Sequence, residues 1–345
     1  MARDRESSPQ RHVTEEGRTP ADTSRARLPR QPTASRGPDE LSDLPKESYL
    51  AVFKRVVKEF GDDSITVWAA ALTYYGVLSI FPGLLLIVTC LRLFGPDTVQ
   101  SVTDNVTDIA PGAVASILRG AAESLQQGQQ GTAGLIAVVS LLAALWSASG
   151  YIGVFMKASN VIYDVPEGRP VWKTVPIRIG LTVLTGVLLT LSALMVVFTG
   201  RLADQLGQGL GIGSAAVTVW NIAKWPVLVL IISLLFALLY WASPNAKHGG
   251  FRWVSPGGVL AVVIWLLASG AFAFYIGNFG SYNKTYGSLA AVIVFLIWLW
   301  ISNIAILLGA EFDAELQRSR AIRAGHGETD EPYVDLRDTR KLDRG

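Results

Sequence analysis

Cysteine, histidine and charge are what this 345-residue sequence has least of, and each shortage removes a class of function. The single cysteine, Cys90, rules out an intramolecular disulfide and any cysteine-rich metal cluster, and it leaves the redox compartment unreadable. Of the three histidines, His12, His248 and His326, two lie in polar terminal stretches, so no HExxH helix or His and Asp ligand set can be assembled. No metal site and no cofactor are expected. No GxxxxGK[ST] loop is present to cradle nucleotide phosphates, and no G-x-S-x-G elbow to present a serine nucleophile. The glycines of GQGLGIG (207–213) follow no strand, which makes them turn residues rather than a dinucleotide loop. No enzyme is expected from these residues. Charged residues make up 17% of the chain, against roughly 25% in soluble proteins. The net charge of +2 is too small to argue for nucleic acid as a partner.

Apolar residues are abundant: half the chain is hydrophobic and mean hydropathy is positive even with two polar ends averaged in. Six stretches contain no Asp, Glu, Lys or Arg: 64–91, 132–156, 179–200, 225–246, 253–283 and 285–310. Each is long enough for the about 20 helical residues that cross roughly 30 Å of hydrocarbon. The links between them, such as DVPEGRPVWK (164–173) and SPNAKHGGFRW (243–253), carry turn chemistry that cannot sit unpaired in lipid. The expected fold is all-α: a polytopic membrane protein with six transmembrane helices.

Lys and Arg resist translocation, so their distribution orients the bundle. Lys54, Arg55, Lys58, Lys157, Arg169, Lys173, Arg178, Lys247, Arg252, Arg318, Arg320 and Arg323 fall on one side, and Arg92, Arg119, Arg201, Lys224 and Lys284 on the other. Twelve against five places both termini in the cytoplasm, and an even number of spans agrees with that. Trp172, Trp220, Trp225, Trp241 and Trp253 near helix ends fit an aromatic belt. No signal peptide opens the chain, and residues 1–45 are polar and Pro-, Ser- and Thr-rich. The expected organisation is a disordered cytoplasmic tail over 1–45, a six-helix transmembrane domain over 46–318 and a second disordered cytoplasmic tail over 319–345. KESYLAVFKRVVKEF (46–60) sets Leu50, Phe53, Val56, Val57 and Phe60 against Lys46, Glu47, Lys54, Arg55 and Lys58, the pattern of a helix lying on the inner leaflet. The external link 96–131 has a similar amphipathic spacing.

Polarity inside the apolar stretches is the remaining signal. AAALTYYGVLSIFPGLLLIV (69–88) places Tyr74, Tyr75 and Ser79 before Pro82, whose missing donor predicts a kink facing protein or a wet cavity. Ser149 and Gly153, and likewise Ser269, Ala273 and Gly277, are small residues at four-residue spacing that suit close helix packing. In the last stretch Asn303, Leu307, Glu311 and Glu315 share one side of a helix, and the amide at membrane depth must face the bundle. A candidate polar seam or substrate path therefore comprises Tyr74, Tyr75, Pro82, Asn160, Asn278, Asn283, Lys284, Asn303 and Glu311. For Lys284, as for Arg92 and Lys224 near helix ends, a side chain reaching to the interface is the default reading.

The runs AAALTYYGVLSIFPGLLLIV, LWSASGYIGVFMKASNVIYDV, YWASPN with WVSPGGVLAVVIWLLASGAFAFY, and YNKTYGSLAAVIVFLIWLWISNIAILLGAEFDAEL together resemble the YihY/BrkB family of bacterial inner-membrane proteins. The resemblance covers roughly residues 46–318. It implies six spans with cytoplasmic ends, a part in envelope integrity and serum resistance, and export of lipid or glycolipid precursors. It also implies membrane lipids as partners, and it leaves homo-oligomerisation open. Members once carried the label ribonuclease BN, for which these residues offer no acid–base pair. Where the family writes GAELN, this chain has GAEFD, with Phe312 and Asp313. A non-ATP-hydrolysing carrier is one functional expectation and a non-transporting envelope scaffold the other.

Overall fold

A computed structural model describes residues 36–38, 45–92, 133–197, 214–248, 255–278 and 288–344. The described residues form seven α-helices, with one isolated bridge between Ala246 and Leu336 and no strand. These are α1 (Lys46–Asp62), α2 (Ile65–Arg92), α3 (Ala133–Ile162), α4 (Val171–Val197), α5 (Ser214–Ala242), α6 (Ser255–Asn278) and α7 (Ser288–Arg323). Four of them, α4 to α7, contain spans long and apolar enough to cross a membrane: Val171–Val196, Val217–Ala242, Pro256–Ile276 and Val292–Arg323.

Neighbours in sequence are neighbours in space from α2 through α7, and α7 also packs on α2, so six helices close into a ring. α7 touches α3 and α5 as well, which makes it the most connected element. The core gathers Leu72, Phe155, Met156, Tyr163, Tyr240 and Leu307 where α2, α3, α5 and α7 meet. Large apolar residues such as Leu230, Leu267 and Phe274 point outward instead, the pattern of a bundle solvated by lipid. α1 is apolar on two sides. Val52 and Val56 pack on Leu316, Leu308 and Phe312 of α7, while Leu50, Phe53 and Val57 stay exposed.

α6 and α7 cross at glycines. A Cβ on Gly257 would run into the Gly309 carbonyl oxygen, and one on Gly309 would meet the Gly257 carbonyl oxygen at 2.5 Å and the Tyr240 hydroxyl at 2.7 Å. Such contact between backbones is how helices associate where lipid removes the hydrophobic drive.

Several boundaries depart from the sequence reading. α4 begins at Val171 and α5 at Ser214, well before the uncharged stretches at 179 and 225, because Lys173, Arg178 and Lys224 ride inside helices. α7 runs 36 residues, roughly 54 Å at about 1.5 Å per residue, so it overshoots the hydrocarbon by several turns. It stops in a Schellman turn, with Gly325 at φ 95°, the Gly325 N–H donating to Ile322 O at 3.0 Å and the His326 N–H to Ala321 O at 3.0 Å.

The expectation of a disordered tail over 319–345 fails for residues 319–344. Residues 324–344 run back under the bundle: Lys247 N donates to Asp335 O at 2.7 Å, Arg337 N to Asn245 O at 3.0 Å and Lys341 N to Gly168 O at 3.0 Å. Tyr333 and Val334 are fully buried there. Composition misled because a few apolar residues suffice where the overshooting α7 and two helix links supply backbone partners. Of the 1–45 stretch, residues 36–38 also dock, with Arg320 Nε donating to Pro38 O at 2.5 Å. The rest of it, apart from Pro45, and the external link 96–131 lie outside the described residues.

Candidate functional site

The side of α7 that carries Asn303 and Glu311 faces the bundle interior. Asn303 is 1% exposed; its Nδ2 donates to Thr73 Oγ1 of α2 at 3.1 Å, and its Oδ1 accepts from the Tyr151 hydroxyl of α3 at 2.9 Å. Three helices are tied by one amide, with Thr73 bonded on to Ala69 O at 2.8 Å. A turn further lies Leu307, and beyond it the Glu311 carboxyl, 1% exposed.

Glu311 meets another acid. Its carboxyl is hydrogen-bonded to that of Asp63, in the link between α1 and α2, and its Oε2 has no protein partner. Two bonded carboxyls hold a proton between them, because like charges at contact cannot both ionise. Burial is what drives the Asp63 carboxyl up, to about 6, against the pull of that hydrogen bond. Asp63 stands beside Ser64, whose φ of 53° turns the chain sharply from α1 into α2 and aims the acid at α7.

One turn on, Glu315 is buried and paired with Arg55 of α1, and it lies 3.5 Å from Arg318. Arg318 collects acids from three segments: Asp164 at 2.8 Å, Glu331 at 3.4 Å and Glu59 at 3.6 Å. Its guanidinium also covers the Tyr333 ring at 4.9 Å. Asp313 points the other way, where its Oδ1 accepts the Gly257 N–H at 2.7 Å at the N-terminus of α6. That bond satisfies one of the N–H groups a helix start leaves without an intrahelical partner, so Asp313 does structural work in the departure from GAELN.

The Asp164 carboxyl is pushed up to about 7, chiefly by burial and then by Glu331, against the pull of Arg318. An acid that holds its proton more tightly when folded than its ordinary value of about 3.9 takes stability away as pH rises from about 4 to about 7. The Asp164→Asn variant removes that loss, and asparagine tolerates the φ of 50° at this position. Its melting temperature is expected to exceed that of the parent protein at pH 8 and to converge on it near pH 4; an equal gap at both would contradict this.

Of the other sequence-predicted residues, Tyr74, Tyr75 and Asn160 do not join this column. Tyr74 is 61% exposed and turned outward, with its ring edge-on to Tyr75 at 5.2 Å, so it is no part of an inner seam. Tyr75 fits against Gly150 of α3, where a Cβ would meet its Cδ1 at 2.8 Å. Asn160 belongs to a separate clasp at the α3–α4 link: its Nδ2 donates to Glu167 at 2.9 Å and its Oδ1 accepts from Asn245 N at 2.8 Å. Arg169 completes that clasp, gripping Glu167 with Nε at 2.8 Å and Nη2 at 2.7 Å, and capping the end of α5 through Ser243 O at 2.7 Å. α2 stays helical through Pro82. The side chains of Pro82 and Asn278, and the whole of Asn283 and Lys284, lie outside the described residues.

Sequence reading missed Asp63, Thr73, Tyr151, Asp164 and Arg318 as members of the site. Only the position of Asp63 and Asp164 at helix junctions hinted at them. Among the described residues no three His, Cys, Asp or Glu side chains stand together as a metal-holding group.

An all-helical bundle with lipid-facing apolar surfaces and spans of this length is an integral membrane protein. The chain belongs to the Virulence factor BrkB family, whose model matches residues 56–333. The ribonuclease-like protein YfkH of Bacillus subtilis is 32% identical over 254 residues, covering 74% of this chain and 90% of that protein. UPF0761 membrane proteins of Xanthomonas campestris and Xanthomonas axonopodis are each 28% identical over 268 residues, 76% of this chain. The match spans 60% of the length of these Xanthomonas relatives. No solved structure matches the chain.

Proposed function

We propose that this is a six-span protein of a bacterial plasma membrane, with both ends in the cytoplasm, that moves a lipid or glycolipid precursor for envelope maintenance without hydrolysing ATP. α2 and α3, at 28 and 30 residues, supply the length for the fifth and sixth crossings. The observation that carries the transport reading is the Asp63–Glu311 carboxyl pair at one end of the bundle. A shared proton there can be gained or lost as the link between α1 and α2 shifts against α7, which is the element an ion-coupled carrier requires. Asn303, Thr73 and Tyr151 extend the polar column toward mid-membrane.

The second reading is a non-transporting scaffold of the envelope. It is favoured by the satisfaction of Asn303 within the bundle and by the outward position of Tyr74. A ribonuclease ranks below both: the label belongs to the Bacillus relative, and the acids here are buried between helices rather than set on a face that RNA could reach.

The test is lipid profiling by leaflet in a deletion strain complemented with the parent chain or with an Asn303→Leu, Glu311→Ala double variant. Transport predicts an altered leaflet ratio in the deletion strain, restored by the parent and not by the variant. The same ratio in every strain would support the scaffold.

A further inference from the structure

Arg178 lies about 10 Å along α4 from Val171, at about 1.5 Å per residue, inside the span Val171–Val196. Its side chain runs across Gly153 of α3, where a Cβ would meet its Cδ at 3.1 Å, and its guanidinium lies over the Trp146 ring at 5.0 Å. Nε is buried and donates to no protein group, and no carboxylate among the described residues pairs with the side chain. A cation inside a span is costly unless an anion meets it, and none comes from the described chain.

The surroundings indicate the source of that anion. Trp146 is 63% exposed, and Leu142, one turn away on the same face of α3, is an exposed apolar residue, so this side of α3 is open to acyl chains. Lys157 shares the Gly153 face of α3 one turn nearer the link and is exposed, which adds a second positive charge. A guanidinium matches a phosphate bidentately.

We propose that the groove between α3 and α4 binds the phosphate of an anionic membrane phospholipid, with Arg178 as the anchor, Trp146 as the wall and Lys157 as the second cation. The site lies on the lipid-facing outside of the bundle, apart from the Asn303–Glu311 column. Its occupancy holds whether the protein transports or only scaffolds.

The test is native mass spectrometry of the full-length protein in neutral detergent, titrated with phosphatidylglycerol, with phosphatidylcholine, and with phosphatidylglycerol in millimolar inorganic phosphate. The parent is expected to prefer phosphatidylglycerol over phosphatidylcholine and to keep it in inorganic phosphate. Arg178→Gln is expected to weaken that binding roughly tenfold or more, with Arg178→Lys intermediate. Trp146→Leu and Lys157→Gln replace exposed side chains, and each is expected to weaken binding several-fold without unfolding the protein. Unchanged binding in Arg178→Gln, or in both exposed variants if Arg178→Gln does not fold, would overturn the proposal. Equal affinity for the two lipids would also overturn it, as would displacement by inorganic phosphate, which would make this a free-anion site.

Discussion

Gly257→Ala is expected to cost the bundle about 3 kcal/mol, enough to deplete the folded protein on fluorescence-detected gel filtration and to lower its melting temperature sharply. The added methyl meets the Gly309 carbonyl oxygen, a backbone atom with no rotamer to yield, and crowds the Asp313 carboxyl that caps the same helix. α6 must then move off α7, which loosens Asp313 and the Tyr240 hydroxyl, the latter bonded to Ile306 O at 2.6 Å. Gly309→Ala approaches the same crossing from the other side and should behave alike. The control is Gly180→Ala in α4, where nothing stands within 4 Å of the new methyl. There the helix gains up to about 1 kcal/mol of propensity, so the variant should be neutral or slightly stabilised. Equal effects at Gly180 and Gly257 would remove the close crossing from the account.

Arg169→Ala carries the next largest expected loss, about 3 kcal/mol, at the low end for breaking a buried ion pair because Glu167 keeps some solvent contact. Arg169 is 2% exposed and joins the α3–α4 link to the end of α5. Without it Glu167 loses both partners on the guanidinium, and the Ser243 carbonyl loses its donor. The neighbouring Asn245 should feel the change, since it holds the C-terminal segment through Asp338 O at 2.9 Å and Asp338 N at 3.1 Å. Limited proteolysis should therefore cut the segment after Gly325 faster in Arg169→Ala than in the parent protein. A parent-like cleavage rate would show that clasp and C-terminal segment are independent.

Much of this arrangement was legible in the chain because lipid imposes a simple rule on it. Long uncharged runs must be helical, so α5, α6 and α7 could be placed from composition, and the amide of Asn303 could be turned inward on cost alone. The ends of helices were harder. Arg178 counts as a flanking charge when only its letter is seen, yet it stands in the third turn of α4, with Gly153 making the room for it. Glu311 was visible as an acid on the Asn303 side, but its partner is Asp63, 248 positions away, and no local pattern encodes that pairing. Composition alone predicts disorder for the C-terminal segment. Its order comes from backbone pairing with Asn245, Lys247 and Gly168, which composition does not register.

Everything functional proposed for the acid pair requires the α1–α2 link and the end of α7 to lie on the cytoplasmic side of the same six-span bundle. Single cysteines in a Cys90→Ser background test this directly, placed at Lys54 in α1, at Lys284 between α6 and α7, and at Arg340 in the C-terminal segment. A membrane-impermeant maleimide on intact spheroplasts is expected to label position 284 alone, with 54 and 340 reacting only after lysis. Labelling of 54 or 340 from outside, or protection of 284, would contradict it.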